Sequence, residues 1–107
     1  MDPSAQLHLA AGLGALGLGG AALLREPRLA RNQVFAALCG ALGTWNLGVA
    51  AEAILDSPRL PLHLVYLLGS CAAAPIGFHF CLMLTGASLA GRRRVLASAY
   101  AASALLW

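Results

Sequence analysis

Three apolar runs, each about as long as a bilayer is thick, occupy most of this chain, and short stretches of charge or proline separate them. Leu7 to Leu24 is about 18 residues, Gln33 to Leu55 about 23 and Leu62 to Thr85 about 24, against the roughly 20 that a helix needs to cross a hydrocarbon core of about 30 Å. In lipid the backbone must satisfy its own hydrogen bonds, so runs of this length are predicted to be transmembrane α-helices. Composition agrees: 60% of the residues are hydrophobic and 10% charged, far below the charge of an ordinary soluble domain. The breaks fall at Arg25-Glu26-Pro27-Arg28, at the turn Asp56-Ser57-Pro58-Arg59-Leu60-Pro61 and after Gly86, where proline and charge end a helix. The predicted class is all-α, a single membrane domain over residues 1–107 forming a transmembrane helical bundle of three full spans plus an incomplete fourth helix.

The arginines set the orientation. All seven basic residues are Arg, with Arg25, Arg28 and Arg31 after the first run, Arg92, Arg93 and Arg94 after the third, and Arg59 alone between the second and third. Positively charged loops stay in the cytoplasm, so the N-terminus and the Asp56–Pro61 turn are expected outside. The net charge of +3 is thus read as topological and not as a nucleic-acid surface. Met1-Asp2-Pro3-Ser4-Ala5-Gln6 lacks a basic n-region, so the first run is expected to stay in the mature protein. The run Val95 to Trp107, about 13 residues, is too short to span and is expected to be cut inside a fourth transmembrane helix; the alternative is a small protein ending in a re-entrant or interfacial helix.

Small residues recur at four-residue intervals, a spacing that lets helix backbones approach in lipid. Ala11, Ala15 and Gly19 mark the first run, Ala36, Gly40, Thr44 and Gly48 the second, and Gly69, Ala73, Gly77 and Cys81 the third. The expected packing positions are Gly40, Thr44, Gly48, Gly69 and Gly77, in an antiparallel hairpin of the second and third helices, with Pro75 kinking the third. Cys39, Cys71 and Cys81 lie inside apolar runs without metal-ligand spacing and read as packing residues.

Ionisable groups within spans are costly and are functional candidates by default. Glu52 lies about 5 Å inside the outer end of its helix, and His63 and His8 begin their helices at that same face. A Glu52, His63, His8 cluster is therefore expected at the outer boundary, able to change charge between about pH 5 and 8 or to bind a cation; the alternative is that all three are solvated among the headgroups. His79 is deeper and is expected to be satisfied by a neighbouring polar group, with Gln33 and Thr85 nearest in depth; the alternative is a proton relay or metal ligand. Asn46 is assigned an interhelical hydrogen bond. No phosphate-binding loop, dinucleotide fingerprint or nucleophile elbow is present, so no catalytic residue, cofactor or metal is assigned.

Phe35-Ala36-Ala37-Leu38, then Thr44-Trp45-Asn46-Leu47-Gly48 and Glu52, then a proline-containing turn, then Pro75 with Phe78-His79-Phe80 and Leu84-Thr85-Gly86, resembles the N-terminal multi-helix membrane region of bacterial sensor histidine kinases. It is similar to the seven-transmembrane type found also ahead of PAS and diguanylate cyclase modules. The resemblance covers about half the chain, with Trp45, Asn46, Glu52 and His79 at the matching positions. It implies a sensory and anchoring role in two-component signal transduction, a homodimer formed through a longer parent chain, and a cytoplasmic PAS and kinase module in that parent. The chain departs from the family in having three and a half helices instead of seven. Two other classes stay open: a small membrane subunit or assembly factor packing through its small-residue stripes, and half of a transporter.

Overall fold

The computed structural model describes residues 1–56, 60–86 and 88–106. Four α-helices account for nearly all of them: α1 (Pro3–Arg25), α2 (Ala30–Leu55), α3 (Leu60–Leu84) and α4 (Leu89–Leu106). The first three are long and apolar enough to cross a membrane, and at 1.5 Å per residue they measure roughly 35 to 39 Å. Ser57, Pro58 and Arg59 of the expected turn, and Trp107, lie outside the described residues.

Each helix end has a local cause. Pro3 occupies the first turn of α1, where its missing N–H costs nothing. The α1–α2 bend is closed by side chains: Asn32 Nδ2 donates to the carbonyls of Ala22 (3.1 Å) and Glu26 (3.3 Å), and Gln33 Nε2 donates to Pro27 O at 2.9 Å. Ala22 O and Glu26 O also accept the backbone N–H groups of Glu26 and Leu29, at 3.3 Å each, so Asn32 adds a second donor to both and ties the start of α2 to the end of α1. Asp56 ends α2 at φ 47°, and Gly86 follows α3 at φ +67°, the left-handed conformation that stops a helix.

The helices pack in series, α1 on α2, α2 on α3 and α3 on α4, with no other helix pair in contact among the described residues. The result is an open row, 19 Å across its thinnest dimension, with α2 the most covered helix. The buried residues of the row are mostly small, among them Ala5 and Gly12 of α1, Cys39 and Ala50 of α2 and Gly69 of α3, whereas large side chains face outward, as Leu18 (63% exposed) and Leu24 (88%) do. Lipid accepts such leucines as readily as a core does, so close packing is left to small residues.

The α1–α2 seam follows a seven-residue repeat. Ala5, His8, Gly12, Ala15, Gly19 and Ala22 are covered on α1, and Asn32, Ala36, Cys39, Gly43, Asn46 and Ala50 on α2. Steps of alternately three and four are those of a left-handed helix pair. The approach is close: a methyl at Gly19 would lie 2.7 Å from Cys39 Cβ, and one at Gly43 would lie 2.7 Å from Leu16 Cδ2. On its other side α2 receives α3, where a methyl at Gly69 would stand 2.6 Å from Ala41 O and one at Gly48 would fall on Tyr66 Cβ.

The four-residue stripe expected on α2 does not form one face. A four-residue step turns about 40°, so the row from Ala36 to Gly48 rotates from the α1 side to the α3 side. A methyl at Gly40 would meet nothing within 4 Å, and one at Gly77 would meet only Leu38, at 3.6 Å; Thr44 Cβ lies 3.3 Å from the Gly69 methyl position. Helix α4 also differs from expectation. It begins at Leu89 and runs 18 residues, so Arg92, Arg93 and Arg94 stand on its early turns and not in a loop.

Pro75 sits inside α3 without ending it. Proline has no N–H for the carbonyl four residues back, here that of Cys71. Ser103 Oγ of α4 donates to Cys71 O, supplying from a neighbouring helix the bond the proline removes.

Candidate functional site

Among the described residues, polar side chains of different helices meet one another at three places. The first is at the end of α2 and the start of α3, away from the two arginine clusters. Glu52 Oε1 lies 3.4 Å from His63 Nδ1, with side chains 20% and 45% exposed. Tyr66, one turn along α3, places its hydroxyl 2.8 Å from the same Nδ1, and the two rings meet edge to face at 4.6 Å. Gly48 makes this possible, because Tyr66 Cβ occupies the space a side chain there would fill. Glu52 Oε1 is buried and has no hydrogen-bond donor among the described residues. A buried acceptor without a donor is costly, so this carboxylate is poised to receive a proton-bearing neighbour.

The second place is on the opposite flank of α2. His8 Nδ1 is 2.8 Å from Asn46 Oδ1, and Asn46 Nδ2 donates to Leu42 O at 2.8 Å. With the amide nitrogen engaged as donor, its oxygen must accept, so His8 carries its proton on Nδ1. Asn46 thus makes an interhelical bond to α1. His8 does not join Glu52 and His63 as the sequence suggested: α1 and α3 pack on different sides of α2, and His8 is held by Asn46.

The third place is between α3 and α4. His79 Nδ1 lies 3.3 Å from the Tyr100 hydroxyl, with the rings perpendicular at 6.2 Å. The expected partners are engaged elsewhere, Gln33 on Pro27 O and Thr85 Oγ1 on Leu82 O at 3.1 Å. Tyr66, Tyr100 and Ser103 were not singled out by sequence. Tyr66 had a signal in its position three residues from His63, which puts both on one helix face. Tyr100 had no such signal, since it lies 14 residues past Gly86 whereas His79 lies 7 before it. Ser103 had one in Pro75, whose missing N–H leaves the Cys71 carbonyl in need of a donor.

Trp45 borders α3 with its backbone nitrogen 2.8 Å from the Gly69 methyl position. Cys39, Cys71 and Cys81 are all free thiols. Among the described residues no three of His, Cys, Asp and Glu come together as a metal-ligand group. No protein-family model, curated protein or solved structure matches the chain.

Proposed function

We propose that the chain is the membrane-embedded signal-input and anchoring region of a bacterial sensor histidine kinase, lying in the inner membrane with its N-terminus outside. The resemblance around Trp45, Asn46, Glu52 and His79 supports the reading. One observation carries it: Glu52, His63 and Tyr66 tie α2 to α3 at the end opposite the two arginine clusters, Arg25–Arg31 and Arg92–Arg94, which is the outer end if those clusters are cytoplasmic.

The chemistry of such a junction is that of a proton-driven latch. Neutral His63 accepts the Tyr66 hydroxyl on Nδ1, a link within α3. A protonated ring carries N–H there and needs an acceptor, and Glu52 is the carboxylate beside it, 3.4 Å away on α2. Proton uptake therefore trades a bond within one helix for an ion pair between two, drawing the outer ends of α2 and α3 together. Gly48 and Gly69 keep the two backbones in direct contact below the latch, so a shift at the top is passed along packed helices without slack.

The coding sequence downstream of Trp107 tests the assignment. An in-frame continuation through further spans into a kinase module is expected; a stop codon directly after Trp107 overturns it. In the parent protein, Glu52→Gln is expected to shift or abolish an acid-dependent response, and an unchanged pH profile in that variant removes the latch.

A further inference from the structure

At the arginine end the open row of helices leaves a cleft across α2, between α1 and α3, of about 450 Å³. Its mouth carries Arg25 from the last turn of α1 and Arg31 from the first turn of α2, and its walls are Ala22, Phe35, Phe80 and Leu84. The Phe35 and Phe80 rings stand 5.5 Å apart. Both arginines are exposed, and the one contact of a basic side chain with a carboxylate among the described residues is that of His63 with Glu52, so neither guanidinium has a carboxylate partner there.

We propose that this cleft binds an anionic phospholipid, the two guanidinium groups holding the phosphate and the apolar walls holding the upper part of an acyl chain. Charge and depth select this occupant. Guanidinium is suited to bidentate phosphate binding, and Arg25 and Arg31 sit where charged side chains reach the headgroup layer. Asn32 also lines the mouth, and about one helical turn deeper the lining becomes apolar, at Ala22 and Phe35. A soluble anion engages only the mouth and a neutral lipid only the walls, whereas an anionic phospholipid engages both. The site is independent of the signalling assignment, since it uses none of Glu52, His63 or Tyr66.

The test is native mass spectrometry of the chain released from nanodiscs containing phosphatidylglycerol and phosphatidylcholine in equal amounts. Retention of phosphatidylglycerol over phosphatidylcholine is expected, on the order of tenfold. Arg25→Gln with Arg31→Gln should abolish the preference, Arg25→Lys with Arg31→Lys should keep most of it, and Arg92→Gln with Arg93→Gln, the same charge removed at the same end of the molecule, should leave it intact. Added inorganic phosphate should not displace the lipid. Equal retention of the two lipids by the unaltered chain, equal loss in the two Gln pairs, or displacement by phosphate overturns the proposal. A photoactivatable phosphatidylglycerol gives a reading that needs no variant: labelling is expected within residues 21–35 and 80–84, and labelling confined elsewhere also overturns it.

Discussion

A single methyl group at Gly69 probes the closest backbone contact between α2 and α3. Built on that glycine, it would lie 2.6 Å from Ala41 O, 2.8 Å from Trp45 N and 3.3 Å from Thr44 Cβ. Two of these atoms are backbone, so no rotamer change relieves the clash, and the helices must part by roughly 0.7 Å to restore contacts near 3.4 Å. A gap of 0.5 to 1 Å forfeits about a quarter to a half of each dispersion contact it opens, and overpacking of this kind costs about 1–3 kcal/mol. Alanine returns up to about 1 kcal/mol as the better helix former. Gly69→Ala is therefore expected to destabilise by about 1–2 kcal/mol, a factor of about 5 to 30 in the folding equilibrium. Reversible unfolding in mixed micelles by added dodecyl sulfate measures it, with Trp45 as the fluorescent reporter in a Trp107→Phe background. Gly40→Ala is the control, because that position opens on empty space and should be neutral or stabilising. Equal stability of the two variants would refute the close approach of α2 and α3 at Gly69.

Three further outcomes follow from the same contacts. Ser103→Ala should cost about 0.6–1.7 kcal/mol, but close to nothing in a Pro75→Ala background, where the restored N–H takes Cys71 O; an equal cost in both backgrounds excludes the proline-repair role. Asn46→Leu should lose a similar bond to His8 and release the ring from its Nδ1–H form, visible in the imidazole nitrogen shifts, and unchanged shifts would remove the His8–Asn46 bond. In a chain freed of its native cysteines, Arg28→Cys and Arg93→Cys should be labelled by an impermeant thiol reagent from one and the same side of the membrane, and labelling from opposite sides would break the three-span layout.

The number of spans, where they end and which ends share a side were legible in the sequence. Apolar length, proline and arginine are local properties, and antiparallel packing carries the Arg25–Arg31 and Arg92–Arg94 groups to one end of the molecule. The faces of the helices were not legible. A soluble helix announces its buried side by an apolar stripe, but a helix in lipid is apolar all round, so hydropathy does not separate Gly40, which faces open space, from Gly43 and Gly48, which lie against neighbouring helices. Four-residue spacing drifted across faces where the seven-residue repeat of Ala5, Gly12 and Gly19 held one seam.

Polar partners divide in the same way. That His8, Asn46, Glu52, His63 and His79 would need partners follows from their cost in an apolar run, and residue counting fixed their approximate depths. Which partner each took was decided by tertiary structure. Rotation of α1 and α3 about α2 gave His8 to Asn46 and His63 to Glu52, and the docking of α4 gave His79 to Tyr100. Depth is set along one chain, whereas azimuth is set only when a second helix settles against the first.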